Sequence, residues 1–228
     1  MDTLEELAIL LLAEGSLRYH SGYEIQFTNT DAVLNKRFGK LVVSLGFRPM
    51  RKSEKQTVVY SRELAEKLLN LCGSIRTKRY ADGTHPDARF SEYALQNPRE
   101  TLRIFFSCEG GVVISGKSSE VIVRVCHPRL KVQVCEMLAG IGIAFTERGN
   151  GLISIKRKEA INRFAKEINF LNGVVSCRGN NKGVEKRVLL ESLIQKSFRV
   201  NRPSSQPSEV LVRLGFRGHV ELELCKVD

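Results

Sequence analysis

An internal repeat constrains this chain most: it spells one helical signature twice. Near the start stands Thr3-Leu4-Glu5-Glu6-Leu7-Ala8-Ile9-Leu10-Leu11-Leu12-Ala13-Glu14-Gly15. Near the middle stands Asn97-Pro98-Arg99-Glu100-Thr101-Leu102-Arg103-Ile104-Phe105-Phe106-Ser107-Cys108-Glu109-Gly110. Each opens on capping-box spacing, Thr3 three residues before Glu6 and Asn97 three before Glu100, with Pro98 at the favoured first helical position. Each then runs through an apolar helix and stops at Glu-Gly, where a glycine can take the left-handed conformation that ends helices.

The segments after each Glu-Gly also correspond. Two short strand-like stretches precede an amphipathic helix ending in Leu45-Gly46-Phe47 or Ile141-Gly142-Ile143, with Gly46 32 residues after Glu14 and Gly142 33 after Glu109. A second strand pair and a helix starting Arg62-Glu63-Leu64 or Lys158-Glu159-Ala160 complete each unit. The expected fold is α+β, built from tandem pseudo-symmetric αββαββα repeats at 1–76 and 98–200. Residues 77–97, with Asp82-Gly83 and His85-Pro86, read as a surface linker. A basic loop over 176–183 and a helix of about Val184 to Ser197 come next. Residues 201–228 form an extension: Val210 and Val212, a turn at Gly215 to Gly218, then Val220, Leu222 and Leu224 alternating with Glu221 and Glu223 predict a β-hairpin.

The 228 residues carry 36 Lys+Arg against 25 Asp+Glu, a formal charge of +11, and the pI is near 9.6. Such an excess attracts polyanions, nucleic acid first. No apolar run reaches the roughly 18 residues of a membrane span. The acidic opening (Asp2, Glu5, Glu6) lacks the cationic start of a signal peptide, so a cytoplasmic protein without membrane association is expected. Of the six cysteines (Cys72, Cys108, Cys126, Cys135, Cys177, Cys225), none forms a CxxC pair, and reduced thiols are expected. The histidines (His20, His85, His127, His219) are scattered, and His127-Pro128 reads as a helix cap.

The chemistry lies at the helix ends. From Leu7 onward the first helix is apolar nearly all round and must be buried. A buried helix ending in Glu places a carboxylate at the negative end of the helix dipole, where an acid is disfavoured. Two such acids, Glu14 and Glu109, would also repel one another if they met. A divalent cation between them resolves both problems, since Mg²⁺ takes one or two carboxylates plus waters and phosphate oxygens.

Leu7 to Gly15 resembles the nine-residue motif of the LAGLIDADG homing endonucleases, matching at Leu7, Ala8, Leu10, Ala13 and Gly15, with Glu14 in place of the last aspartate. Leu102 to Gly110 is a weaker copy that keeps Leu102, Glu109 and Gly110. Ile9 and Ile104 stand where that motif has its first glycine. The resemblance covers about residues 3 to 200 and implies two curved antiparallel sheets, with the motif helices side by side between the halves. It further implies that Glu14 and Glu109 hold Mg²⁺ (or Mn²⁺), with backbone groups of Gly15 and Gly110 as further ligands. A basic residue near the metal is also implied, for which Lys182 and Lys186 are the candidates.

On this reading the chain is a site-specific double-strand DNA endonuclease, hydrolysing phosphodiester bonds as a monomer on a long pseudo-palindromic site. Alternating sheet positions and their flanks supply the DNA-binding candidates: Arg18, His20, Gln26, Thr28, Arg48, Arg51, Lys52, Lys55, Lys117, Arg124, Arg148, Lys156 and Lys158. Two alternatives use the same fold: a maturase binding intron RNA, and a non-catalytic DNA-binding regulator. An organelle intron as the coding source would move the protein to that organelle.

Overall fold

The computed structural model describes residues 1–19, 22–115, 119–177 and 179–199, the last four of these for their backbone alone. His20, Lys117 and the hairpin expected within 201–228 lie outside the described residues.

The first repeat runs α1 (Thr3–Glu14), β1 (Gly15–Arg18), β2 (Glu24–Thr28), α2 (Ala32–Ser44), β3 (Met50–Ser53), β4 (Gln56–Tyr60) and α3 (Arg62–Cys72). After α4 (Glu92–Gln96) the second repeats the order: α5 (Pro98–Glu109), β5 (Gly110–Ile114), β6 (Ser119–Arg124), α6 (Pro128–Gly140), β7 (Thr146–Arg148), β8 (Leu152–Ile155) and α7 (Lys158–Glu167). A 3₁₀ turn at Gly179–Asn181 leads to α8 (Lys186–Arg199). Each repeat holds a four-stranded antiparallel sheet with one strand order, β1-β2-β4-β3 and β5-β6-β8-β7.

The apolar pattern decides the centre. Leu7, Ala8, Ile9, Leu10, Leu11 and Leu12 are all buried, as are Leu102, Ile104, Phe105 and Phe106. Helices α1 and α5 pack on each other in one core shared by both repeats. Each fully buried Leu, Ile or Phe there contributes about 1.5–3 kcal/mol. In β2, Ile25 and Phe27 face the helices, and Phe27 stacks on Phe38 of α2 with ring centroids 5.0 Å apart. In β6, Val121 and Val123 do the same. The alternate residues Gln26, Thr28, Ile122 and Arg124 therefore line the sheet faces turned away from the helices.

Three local expectations are corrected. Asp2, not Thr3, is the N-cap of α1, and neither it nor Asn97 makes a side-chain cap bond; the Glu6 side chain meets Arg37 instead. Gly15 and Gly110 are extended, with φ −98° and −89°, not left-handed. Their constraint is space: a Cβ would lie 2.5 Å from the Leu11 carbonyl oxygen at Gly15 and 2.6 Å from that of Phe106 at Gly110. The chain passes from helix into strand with no loop, and only glycine fits that corner. The linker, finally, is a surface segment only in its first part. Pro86, Ala88 and Phe90 are buried, and Gln133 of α6 binds both backbone groups of Phe90, at 2.9 and 3.4 Å. Phe90 meets Phe105 edge-on, so apolar packing draws this stretch into the core.

Candidate functional site

Helices α1 and α5 pack together, and each runs directly into a strand, so Glu14 and Glu109 stand at matching helix–strand corners of the two repeats. The Cys108 thiol lies one residue before Glu109 at the end of α5. Burial pushes its pKa up, Glu14, Glu109 and Asp31 add to the rise, and the Lys186 ammonium opposes it. Glu14 of the first repeat thus contributes to the electrostatics of Cys108 in the second.

Glu14 is oriented by a residue the sequence did not single out. The Asn29 side-chain amide donates to Glu14 Oε1 at 3.1 Å, while Asn29 Oδ1 accepts from the Asp31 amide at 2.8 Å. Asp31 caps α2, Oδ1 accepting from Val33 and Leu34, and its Oδ2 accepts from Val175 at 2.7 Å. Asp31 thereby spends both oxygens on backbone amides and is a scaffold rather than a ligand. Its counterpart in the second repeat is His127, which caps α6 through Nδ1 and bonds the Pro86 carbonyl oxygen through Nε2 at 2.8 Å, the capping role expected of it.

Lys186, the first residue of α8, is only 5% exposed. Its Nζ donates to the main-chain oxygens of Ser107 and Gly110, at 2.7 Å each, and so satisfies carbonyls that α5 leaves open at its end. The start of α8 is pinned by the Val175–Glu185 bridge and by Lys186 N donating to Val174 O at 2.9 Å. Burial lowers the Lys186 pKa, while Cys108, Cys177, Asp31 and Glu14 hold it up. Lys186 therefore sits at the end of α5, bonded to backbone on either side of Glu109. Lys182 lies exposed in the turn before it.

The fit to a divalent cation rests on the donor set. Among the described residues no group of three or more His, Cys, Asp or Glu is placed to hold a metal. Two carboxylates at the helix ends suit Mg²⁺, which keeps waters and accepts phosphate oxygens in its remaining positions. The backbone of Gly110 is a poor ligand, contrary to expectation. Its oxygen already accepts from Lys186, and a cation bound there would face an ammonium across one atom. Gly15 stands opposite Phe27 in the β1–β2 ladder.

On the open sheet faces the matched acids Glu24 and Glu120 are buried, at 3% and 6% exposure. Lys52 Nζ and the Tyr60 hydroxyl donate to Glu24 Oε2 at 2.7 and 2.8 Å. Those hydrogen bonds hold the Glu24 pKa below the usual range. Arg148 donates to Glu120 Oε2 at 2.7 Å, Ser154 also bonds it, and Lys156 stands 3.9 Å away. Lys52 and Arg148, expected to face DNA, thus have part of their charge committed within the sheet.

Of the other DNA-binding candidates, Arg18 and Arg124 are exposed on the open faces of their sheets, Gln26 and Thr28 share the face of Arg18, and Arg48 and Lys55 are exposed beside β3. Arg51 pairs with the buried Thr57, which shares the helix-side face of the sheet, so strand alternation turns it from the open face. Lys158 opens α7. Among the described residues no helix is long and apolar enough to cross a membrane.

Neither a scan of protein-family models nor a search of curated proteins matches this chain. Solved structures do match. Full-length DUF199/WhiA from Thermatoga maritima superposes at TM-score 0.52 and 16% identity, over 90% of this chain and 63% of that chain. The homing endonuclease I-WcaI bound to its DNA recognition sequence matches at TM-score 0.48 and 11% identity, over 76% of this chain and 84% of that one. I-DmoI in complex with DNA and Mn matches at 0.47 and 14%, over 73% and 95%.

Proposed function

We propose that this chain, which has the fold of the LAGLIDADG homing endonucleases, is a site-specific endonuclease that cuts both strands of DNA at a divalent-metal site held by Glu14 and Glu109. The reading is supported by the packing of α1 on α5, each of which ends in a glutamate at a helix–strand corner.

A metal bound there would lower the pKa of an attacking water and stabilise the leaving oxygen. The chain does the rest. Asn29 orients Glu14 without neutralising it, Lys186 fixes the end of α5 and with it Glu109, and the open sheet faces grip the duplex through Arg18, Gln26 and Arg124. One chain carries both acids, so it acts as a monomer on a pseudo-palindromic site.

The test is Mg²⁺-dependent cleavage of a plasmid library containing randomised sites. Linear product with wild type and none with Glu14→Gln or Glu109→Gln supports the reading; equal cleavage by all three overturns it. Lys186 favours a second reading, DNA binding without cleavage, because a buried ammonium already offsets part of the acid charge. That reading predicts specific binding by wild type and no metal-dependent nick.

A further inference from the structure

The second repeat carries a basic cleft that the paired acids do not use. A 550 Å³ hollow lies between the end of α6 and the β7–β8 edge, lined by Ala144, Thr146, Ser154, Lys156 and Arg157. An adjoining hollow of 320 Å³ shares Gly142, Ala144 and Arg157 with it and adds Glu159 and Arg163. The two share a wall. Three cations and one carboxylate line them, leaving a net charge of +2.

The room and the charge have identifiable sources. The Arg163 guanidinium lies over Gly142, where a Cβ would come within 2.8 Å of Nη1; Gly142 also holds φ +75°, which a larger residue adopts only under strain. Gly142 therefore keeps the wall low beneath the Arg163 guanidinium, and Arg157 lines both hollows. Thr146 and Ser154 pair across β7–β8 on the face turned away from the helices, so the cleft opens beside that face. The first repeat differs at the matching positions. Tyr60 and Ser61 stand for Lys156 and Arg157, the Ser61 hydroxyl is used to cap α3, and Lys67, matching Arg163, is bound to Glu63 at 2.6 Å.

We propose that this cleft is a phosphate-binding site, which on the DNA-binding reading of the sheets holds a backbone phosphate at the flank of the half-site under the second repeat. Guanidinium forks match phosphate oxygens two at a time, and small walls let a bulky oxyanion approach both arginines. The site contributes affinity without base preference, because a phosphate carries no sequence information. It also makes the grip on the two half-sites unequal.

The test compares wild type with Arg157→Gln/Arg163→Gln, both as the full chain, with Lys67→Gln as a control. DNA affinity is measured against salt, alongside a phosphorus NMR titration with inorganic phosphate. The expected result is a log K versus log salt slope shallower by about 0.9 for each phosphate that the double variant no longer neutralises. Sequence preference stays unchanged and the control matches wild type. Equal slopes with phosphate binding lost only in the double variant would assign the cleft to free phosphate. Equal slopes and equal phosphate titrations overturn the site. If wild type binds no DNA, the nuclease proposal fails, and the phosphate titration alone decides the cleft: loss in the double variant supports it, and no binding by wild type overturns it.

Discussion

The side-chain amide of Asn29 donates to the Glu14 carboxylate at 3.1 Å. Asn29 sits just after β2, and its backbone is fixed as well: its N–H donates to the Lys55 carbonyl at 2.8 Å and its own carbonyl accepts from Asn35 Nδ2 at 2.6 Å. A neutral donor held this firmly sets the carboxylate's direction without adding charge of its own. Outer-shell partners of this kind are worth about 10–100-fold in metal affinity or activity. Asn29→Ala should lower cleavage and Mn²⁺ affinity within that range, read by calorimetry, while DNA binding in EDTA stays at the wild-type level. Unchanged Mn²⁺ affinity would remove Asn29 from the site.

Glu14→Gln and Glu109→Gln keep the side-chain shape and lose the charge. Each single variant should abolish double-strand cleavage and leave specific DNA binding nearly intact in a gel-shift assay. If binding collapses along with cleavage, the acids serve folding rather than chemistry.

The corner glycines give a stability prediction. Gly15→Ala forces a Cβ against backbone 2.5 Å away, and backbone cannot swing aside as a side-chain tip can. Overpacking of this sort costs about 1–3 kcal/mol. The urea midpoint should fall accordingly, with Gly110→Ala behaving alike. Gly111, with open space around its Cβ position, should accept alanine with little change.

His127 makes stability depend on pH. Burial lowers its pKa below the usual 6.5, outweighing the bond to Pro86 that raises it. The unfolded chain therefore binds a proton at a higher pH than the folded one. Its contribution to stability is complete above about pH 6.5 and is lost as pH falls from there toward the lowered folded value. Urea unfolding at pH 7.5 and 5.5 should show the loss, and His127→Asn, which can still cap α6, should reduce it. An identical pH response in that variant would place the titration elsewhere.

Sequence alone determined the element order of both repeats and the burial of the two motif helices. Both rest on local rules: apolar residues all round a helix leave no face for water, and alternation along a strand sorts its side chains between two faces. It also pointed to Glu14 and Glu109, because an acid ending a buried helix conflicts with the dipole wherever that helix lies. Tertiary structure decided what surrounds the two helix ends. Asn29 reaches Glu14 across 15 residues of chain, and Lys186 reaches Gly110 across 76 and Ser107 across 79. Such contacts depend on how hairpin and helix pack, which no local period records. Packing likewise drew Phe90 from an expected surface linker into the core and turned Gly15 and Gly110 from left-handed caps into extended corners. At those corners the space between helix and strand, not the torsional freedom of glycine, sets the requirement.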